Sequence, residues 1–313
     1  MTMQTDVIEL NLAHSPDSDD LVMWWPLVGV RHPDGTPVDG ALGKAQVETG
    51  PFRFNLVARD VEELNKLVVD KNDDSGYDIT AISCAAYPAI ADRYAITSAG
   101  GSFGENYGPR LVAREDSHLR SIEDLREHGG VVAIPGVNTS AYMTLRMAAG
   151  SVHTREMLFS DIPVAVARGE ADAGLLIHEA QLTFGELELR EIGDMGKWWN
   201  QETGKPLPLG LNVFRTDLDE RYGGGTCEQL ARVLNDSVRC CVEMGEASRQ
   251  YLQLNKGDRT EWDDPDLVDR YLAMYVSGLT LDMGERGRDA IKAFLGRGAD
   301  LGLCHHVENL LIL

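Results

Sequence analysis

The order of strand-like and helix-like segments constrains this chain more than any motif. Two apolar stretches, Arg110–Arg114 ("RLVAR") and Leu209–Arg215 ("LGLNVFR"), enclose a run from about Glu115 to Leu207 that has strand–helix units enough for a sheet of its own. A domain inserted between two crossing strands predicts two lobes and a hinge. The expected lobes are residues 1–112 with 212–313, and residues 113–211. A length of 313 residues suits two cores better than one. Alternating strands and helices predict α/β layers, each lobe a mixed sheet flanked by helices. In open sheets of this kind ligands sit at the carboxyl ends of strands, where helix N-termini converge. Between two lobes that place is a cleft.

Along the chain, "VIELNLA" (Val7–Ala13), "FRFNLVA" (Phe52–Ala58), "YDITAIS" (Tyr77–Ser83) and "VVAIPG" (Val131–Gly136) read as strands. "DDLVMWWPLVG" (Asp19–Gly29), "DVEELNKLVVD" (Asp60–Asp70) and "NTSAYMTLRMAAG" (Asn138–Gly150) read as helices, and "CAAYPAIADRY" reads as a helix after the third strand. Arg31–Gly50, rich in Gly and Pro, is a surface excursion, and Ser98–Arg114 is a glycine-rich loop running into a strand. Ser121 is an N-cap with Asp124 three residues on. Asp161–Ile177 is helix, turn and strand, and the chain from Cys227 to Leu303 is mostly helical.

Charge narrows the function classes. A formal net charge of −21 argues against nucleic acid and against anionic membrane surfaces. A small anionic ligand remains compatible, held by local backbone amides. The five cysteines form no zinc spacing and no complete disulfide framework. Cys304-His305-His306 reads as a solvated pair in a tail, so no metal is expected. No apolar run approaches the ~20 residues of a membrane span. "MTMQTDVIELNLAHS" reads as a first strand and not as a leader; with reduced thiols, this fits the cytoplasm.

Four segments place polar groups just after a strand: His14, Ser15, Asp19 and Asp20 in "AHSPDSDD"; Ser83; Asn138, Thr139 and Ser140 in "PGVNTSAY"; and His178 with Glu179 in "IHEAQ". The Asn138–Ser140 helix start offers free N–H groups and two hydroxyls to a carboxylate, with Gly136 letting the backbone come close. The same residue types are ordinary N-caps. First-turn acids usually serve the helix dipole. An imidazole near its natural pKa is the commonest general base, yet a lone histidine is more often structural. There is no GxSxG, no Cys–His pattern, no GxGxxG and no P-loop.

The segments "HSPDSDD", "YDITAIS", "YGPRLVA", "VVAIPGVNTSAYMTL", "GEADAGLLIHEAQLTF", "MGKWWNQETGKPLPLG" and "YVSGLTLDMGERGRDAIKAFL" resemble, in order, the 1,4-dihydroxy-6-naphthoate synthase family of the futalosine route to menaquinone. "IHEAQLTF" and "WNQETGKPLPLG" are the most specific. The resemblance implies a type-II periplasmic-binding-protein-like fold with the active site between the lobes. It implies a cofactor-independent carbon–carbon lyase that converts cyclic dehypoxanthine futalosine, a small anionic substrate, to 1,4-dihydroxy-6-naphthoate, acting as a monomer or homodimer. His178 is then the general base, neutral at pH 7, and Glu179 supports the turn. Ser83, Asn138, Thr139, Ser140, Asp20, Ser15 and Tyr107 are then substrate-binding. The first loop departs from the Ser-Pro-x-x-Asn-Asp-Thr pattern of many members: Asp19 replaces Asn and Leu21 replaces Thr. The fold alone leaves two other readings, a non-catalytic solute-binding protein for a small carboxylate and a chorismate dehydratase-like enzyme of the same route. "IHEAQLTF" favours the synthase over the dehydratase.

Overall fold

The computed structural model describes residues 7–70 and 77–313. The first six residues, on which the leader reading partly rests, lie outside them. The described strands are β1 (Ile8–His14), β2 (Phe52–Ala58), β3 (Ile79–Ser83), β4 (Tyr94–Ile96), β5 (Ser102–Gly104), β6 (Arg110–Arg114), β7 (Val131–Ile134), β8 (His153–Glu156), β9 (Ala173–Leu176), β10 (Leu189–Asp194) and β11 (Leu207–Arg215). They form two sheets. One runs β2-β1-β3-β11-β4, with β5 also pairing β11; the other runs β10-β6-β9-β7-β8. Each is mixed: β1 pairs β2 and β3 in parallel while β11 runs antiparallel to β3, and β7 pairs β8 and β9 in parallel while β6 runs antiparallel to β9. The expected crossing points, 112/113 and 211/212, fall inside β6 and β11, and each of those strands stays whole in one sheet.

Four hydrophobic clusters among the described residues hold this arrangement, the smallest formed by Ala13, Leu64, Tyr77 and Ala81. In the first lobe the helix Ser18–Val28 buries Trp24 and Trp25 against Leu10, Leu12, Phe52 and Phe214. Pro26 is tolerated in its last turn, and Gly29 closes it at φ 84, its N–H reaching Trp25 O. A Cβ at Gly29 would stand 2.5 Å from the Gly43 carbonyl carbon, so the excursion can fold back only over glycine. In the second lobe Val112, Ala133, Ile162 and Leu176 form a smaller core. A third cluster crosses between the sheets, where Met143 and Met147 meet Phe294 and Trp199. Burying a side chain of this size contributes roughly 1.5–3 kcal/mol.

Some elements differ from expectation. "CAAYPAIADRY" forms only a short 3-10 turn, Cys84–Ala89, because Pro88 lacks an N–H and restrains the residue before it. The short strands β4, β5, β8 and β10 have no clear pattern in the sequence. All four residues of the edge strand β8 are exposed, so no apolar alternation marks it. Arg31–Gly50 carries a 3-10 turn at Ala41–Gly43 and an Arg31–Pro37 bridge, and is otherwise mostly exposed. Among the described residues no helix is long and apolar enough to cross a membrane.

The topology places the site. β1 and β3 are parallel neighbours in one sheet and end at His14 and Ser83. Parallel β7 and β9 end at Ile134 and Leu176 in the other. All four polar segments therefore emerge from two strand-end edges, and side-chain contacts join those edges across the gap.

Candidate active site

A cavity of about 680 Å³, open to solvent, lies between the two edges. Ser15, Asp20, Ser83, Thr139, Ser140 and His178 all line it. Asn138 and Tyr107 are not part of its lining. The Tyr107 hydroxyl donates to Phe103 O at 3.2 Å, and burial pushes its pKa up.

His178 is placed by a corner that sequence periodicity does not show. β9 ends at Leu176, and His178 takes a left-handed backbone at φ 56. A one-turn helix, Ala180–Thr183, follows. A left-handed residue other than glycine is uncommon and costs free energy, and histidine is among the side chains that accept it best. Its imidazole Nδ1 lies 2.7 Å from Oδ2 of Asp17 and 3.5 Å from the Tyr271 hydroxyl. The Phe159 ring meets it edge-on at 4.6 Å. The same Asp17 oxygen accepts from Ser15 Oγ at 2.5 Å. Tyr271 donates to Asp19 Oδ1 at 3.2 Å, and Asp20 Oδ2 accepts the Ser15 N–H at 2.8 Å.

Glu179 has a role that its position beside the histidine does not suggest. Its Oε1 accepts from Ser18 Oγ at 3.0 Å and from the Trp262 indole N–H at 3.1 Å, both from the opposite lobe. Arg259 stacks on Trp262 at 4.0 Å and donates to Pro16 O at 2.5 Å, bracing the first loop.

These contacts change the expected protonation state. Burial alone would lower the His178 pKa, but the Asp17 charge and hydrogen bond, with Glu179 and Asp19 behind them, raise it to about 9. The Asp17 contact therefore favours the protonated imidazole near neutral pH, where the sequence reading expects the neutral form. Burial and the neighbouring acids push Asp19 and Glu179 up, and Asp20 rises to about 7 from burial first and the Asp17 charge second. The acidic wall thus sheds part of its charge near neutral pH.

The opposite wall is neutral. Thr139 caps the helix Ser140–Ala149, accepting the Tyr142 N–H at 3.1 Å while donating to Gly136 O at 2.8 Å. Ser140 Oγ donates to Leu209 O at 2.7 Å and accepts the Ala85 N–H at 3.2 Å. Ser83 is pinned by Asn65, whose Oδ1 accepts its N–H at 2.8 Å and whose Nδ2 donates to its hydroxyl at 3.1 Å.

The expected anion seat needs a correction at Asn138. Its N–H and side-chain amide donate to Oε1 of Glu62, at 3.3 and 2.9 Å. Glu62 comes from the other lobe and lies over Gly136, where a Cβ would stand 2.2 Å from its side chain. The close approach that Gly136 permits is thus made by a carboxylate of the protein itself. A helix start leaves its first N–H groups without an intrahelical acceptor. With Asn138 engaged and Tyr142 capped, those of Ser140 and Ala141 are the first-turn donors at the cavity wall.

Asp17, Tyr271, Gln181 and Glu62 are the site residues that sequence reasoning missed. Asp17 stood within the quoted first loop, but nothing local pairs it with a residue 161 positions away.

Fold and site together define a two-lobed protein of the periplasmic-binding-protein-like class, with a histidine–carboxylate cluster in its cleft. The alkanesulfonate-binding protein SsuA of Xanthomonas axonopodis pv. citri superposes with a TM-score of 0.63 over 98% of this chain and 99% of its own, at 14% identity, which shows the fold alone. A crystal structure of an Archaeoglobus fulgidus protein has a TM-score of 0.73 at 32% identity, over 94% of this chain and 98% of that one. The chain belongs to the menaquinone biosynthesis family, whose model matches residues 10–300. It is 32% identical to the 1,4-dihydroxy-6-naphthoate synthase of Thermus thermophilus over 87% of this chain and 92% of that protein. The synthase of Streptomyces coelicolor is equally similar, over 87% and 91%. The chain is an enzyme of that biosynthesis.

Proposed function

We propose that the protein is a cofactor-independent lyase that converts cyclic dehypoxanthine futalosine to 1,4-dihydroxy-6-naphthoate, with His178 as the general base. The observation that carries this reading is the placement of His178 in a cavity between the lobes of a chain 32% identical to two such synthases. The polarity of the cavity suggests the substrate's orientation. The Ser140–Ala141 helix start offers N–H donors to a carboxylate and the wall of Asp17, Asp19 and Asp20 offers none, so that group lies at the helix start and the hydroxyl-rich sugar portion lies toward His178. Ser83 and Thr139 border the path between them.

In this mechanism His178 removes a proton from the sugar portion. Ring opening and carbon–carbon cleavage follow, drawn by aromatisation of the naphthalene. Positioning between closed lobes supplies much of the acceleration, and the proton transfer ~10²–10⁴-fold. Because the Asp17 contact favours the protonated imidazole, His178 must first give up its proton. A base role therefore requires kcat/KM to rise with pH toward about 9, and an acid role requires the reverse.

The test is incubation with cyclic dehypoxanthine futalosine and detection of the dihydroxynaphthoate by absorbance and mass. Product formation, lost in His178→Gln, supports the reading. Saturable binding without product would make the protein a solute-binding protein, and turnover of chorismate instead would make it a dehydratase.

A further inference from the structure

The helix Ser18–Val28 begins at Asp17, whose backbone (φ −69, ψ 159) is that of an N-cap residue. An aspartate there ordinarily accepts an N–H from the first turn, a bond whose loss costs ~1 kcal/mol. At Asp161 and Asp217, whose backbones are helical, that bond is absent, but α-helix starts with a polar cap residue in an extended backbone like that of Asp17 make it. Asp60, Ser121, Thr139, Asp194 and Asp264 each cap their helices with side-chain hydrogen bonds. Asp17 makes none. Its carboxylate turns out of the helix start and reaches His178 of the opposite lobe, where one oxygen takes both the Nδ1 bond at 2.7 Å and the Ser15 hydroxyl bond at 2.5 Å. The side chains are 4% and 15% exposed, so the pair is shielded from solvent. The fold forgoes a helix cap at Asp17 and holds His178 in a left-handed backbone at φ 56, and the two side chains meet there.

We infer that Asp17 is the positioning residue of His178, supplied across the cleft: it holds the proton on Nδ1, makes Nε2 the basic nitrogen, and completes the proton acceptor only when the two lobes are together. This rests on the reading of His178 as the base. The proton balance is simple. In the neutral imidazole Nδ1–H donates to the Asp17 carboxylate, Nε2 takes the substrate proton, and the resulting imidazolium is held by the same carboxylate until Nε2 releases the proton. Asp17 orients and stabilises without itself being protonated.

The groups that face His178 are Asp17, Asp19 and Asp20 of the first loop and helix, Glu179 beside it, Tyr271 of the helix Pro265–Tyr275, and Asp60 at the start of the helix Val61–Val69. Arg259, on Pro16 O, is the nearby cation that braces the loop. Among these acids Asp17 is the carboxylate within hydrogen-bond distance of the imidazole.

The experiment compares wild type, Asp17→Asn, Asp17→Glu and His178→Gln in turnover of cyclic dehypoxanthine futalosine across pH, with ¹⁵N NMR titration of the imidazoles. Asp17→Asn is expected to lower the kcat plateau by at least ~10-fold, within the ~10²–10⁴-fold ceiling set by the base, and to leave KM little changed. It also moves the limb of the pH profile, and the His178 NMR titration, from near 9 back toward 6.5. Asp17→Glu restores part of the plateau and the high limb. A loss of kcat with an unmoved limb and titration would make Asp17 merely structural and overturn the inference. If Asp17→Asn does not fold, the wild-type titration decides: a His178 midpoint at or below 6.5 overturns it and a midpoint well above supports it. Near-normal turnover in His178→Gln would instead overturn the base reading on which the inference rests.

Discussion

Two helices open onto the cleft after parallel strands, one in each lobe, and they begin in opposite ways. At Thr139 the start obeys local rules: the hydroxyl caps the first turn, Asn138 is tied down by Glu62, and every polar side chain there has a folding role. At Asp17 the rules are set aside. The cap bond is missing, and the helix start is crowded with the buried Asp19 and the half-buried Asp20, whose pKa values are driven upward. Burying carboxylates beside one another costs stability unless they are paired. The difference separates a wall built to hold the fold from a wall held against the fold's own preference, and the second is where chemistry is expected.

The largest test of that contrast is His178→Gln, expected to lower kcat ~10²–10⁴-fold while circular dichroism and KM stay close to wild type. His178→Asn, better suited to the left-handed backbone, should be equally inactive. If either keeps near-normal turnover, the acidic wall is structural and the two helix starts do not differ in kind.

Next in size is the dependence of stability on pH. The Asp20 pKa is raised from 3.8 to about 7, so the folded state binds that proton more tightly than the unfolded chain. Its contribution is fully present below about 4 and is lost as pH rises through 7. His178, raised from 6.5 to about 9, adds a contribution present below 6.5 and lost as pH rises through 9. Unfolding free energy from urea titrations should fall over these windows. Asp20→Asn should flatten the lower window and leave the upper one. An unchanged lower window would mean that Asp20 is not the group responsible.

A smaller effect is expected at the bridge between the walls. Glu62→Ala leaves the Asn138 N–H and amide without their acceptor and costs the closed cleft about 1–3 kcal/mol. This should read as a raised KM with kcat nearly constant, and Glu62→Gln should be milder. Smallest is Thr139→Ala, at ~1 kcal/mol of thermal stability for a lost cap, with no movement of the pH profile.

Much of the frame is legible in the sequence because it rests on local physics. β2 matches its expected range, Phe52–Ala58, and the Asp60, Ser121 and Thr139 starts follow from capping chemistry. The site is legible by half. Ser15, Asp20, Ser83, Thr139, Ser140 and His178 meet at one cavity because each follows a strand, and parallel neighbours send such residues to one edge. What stayed hidden is what depends on the lobes meeting. No spacing relates Asp17 or Tyr271 to His178, or Glu62 to Asn138. The favoured protonation of His178 follows from those pairings and not from any one residue. β8 stayed hidden for a different reason, since an exposed edge strand leaves no periodic trace.

Trp262 carries a practical consequence. Its indole is 1% exposed, its N–H is bonded to Glu179 of the other lobe, and the Arg259 guanidinium lies over its ring. Trp24 and Trp25 lie in the core of the first lobe, where small rigid movements of the lobes leave their surroundings unchanged. Any parting of the two edges breaks the Glu179 bond and wets the Trp262 ring. The molecule thus contains its own optical gauge. A red shift of emission that is abolished by Trp262→Phe would follow opening and closing in real time, with no label added.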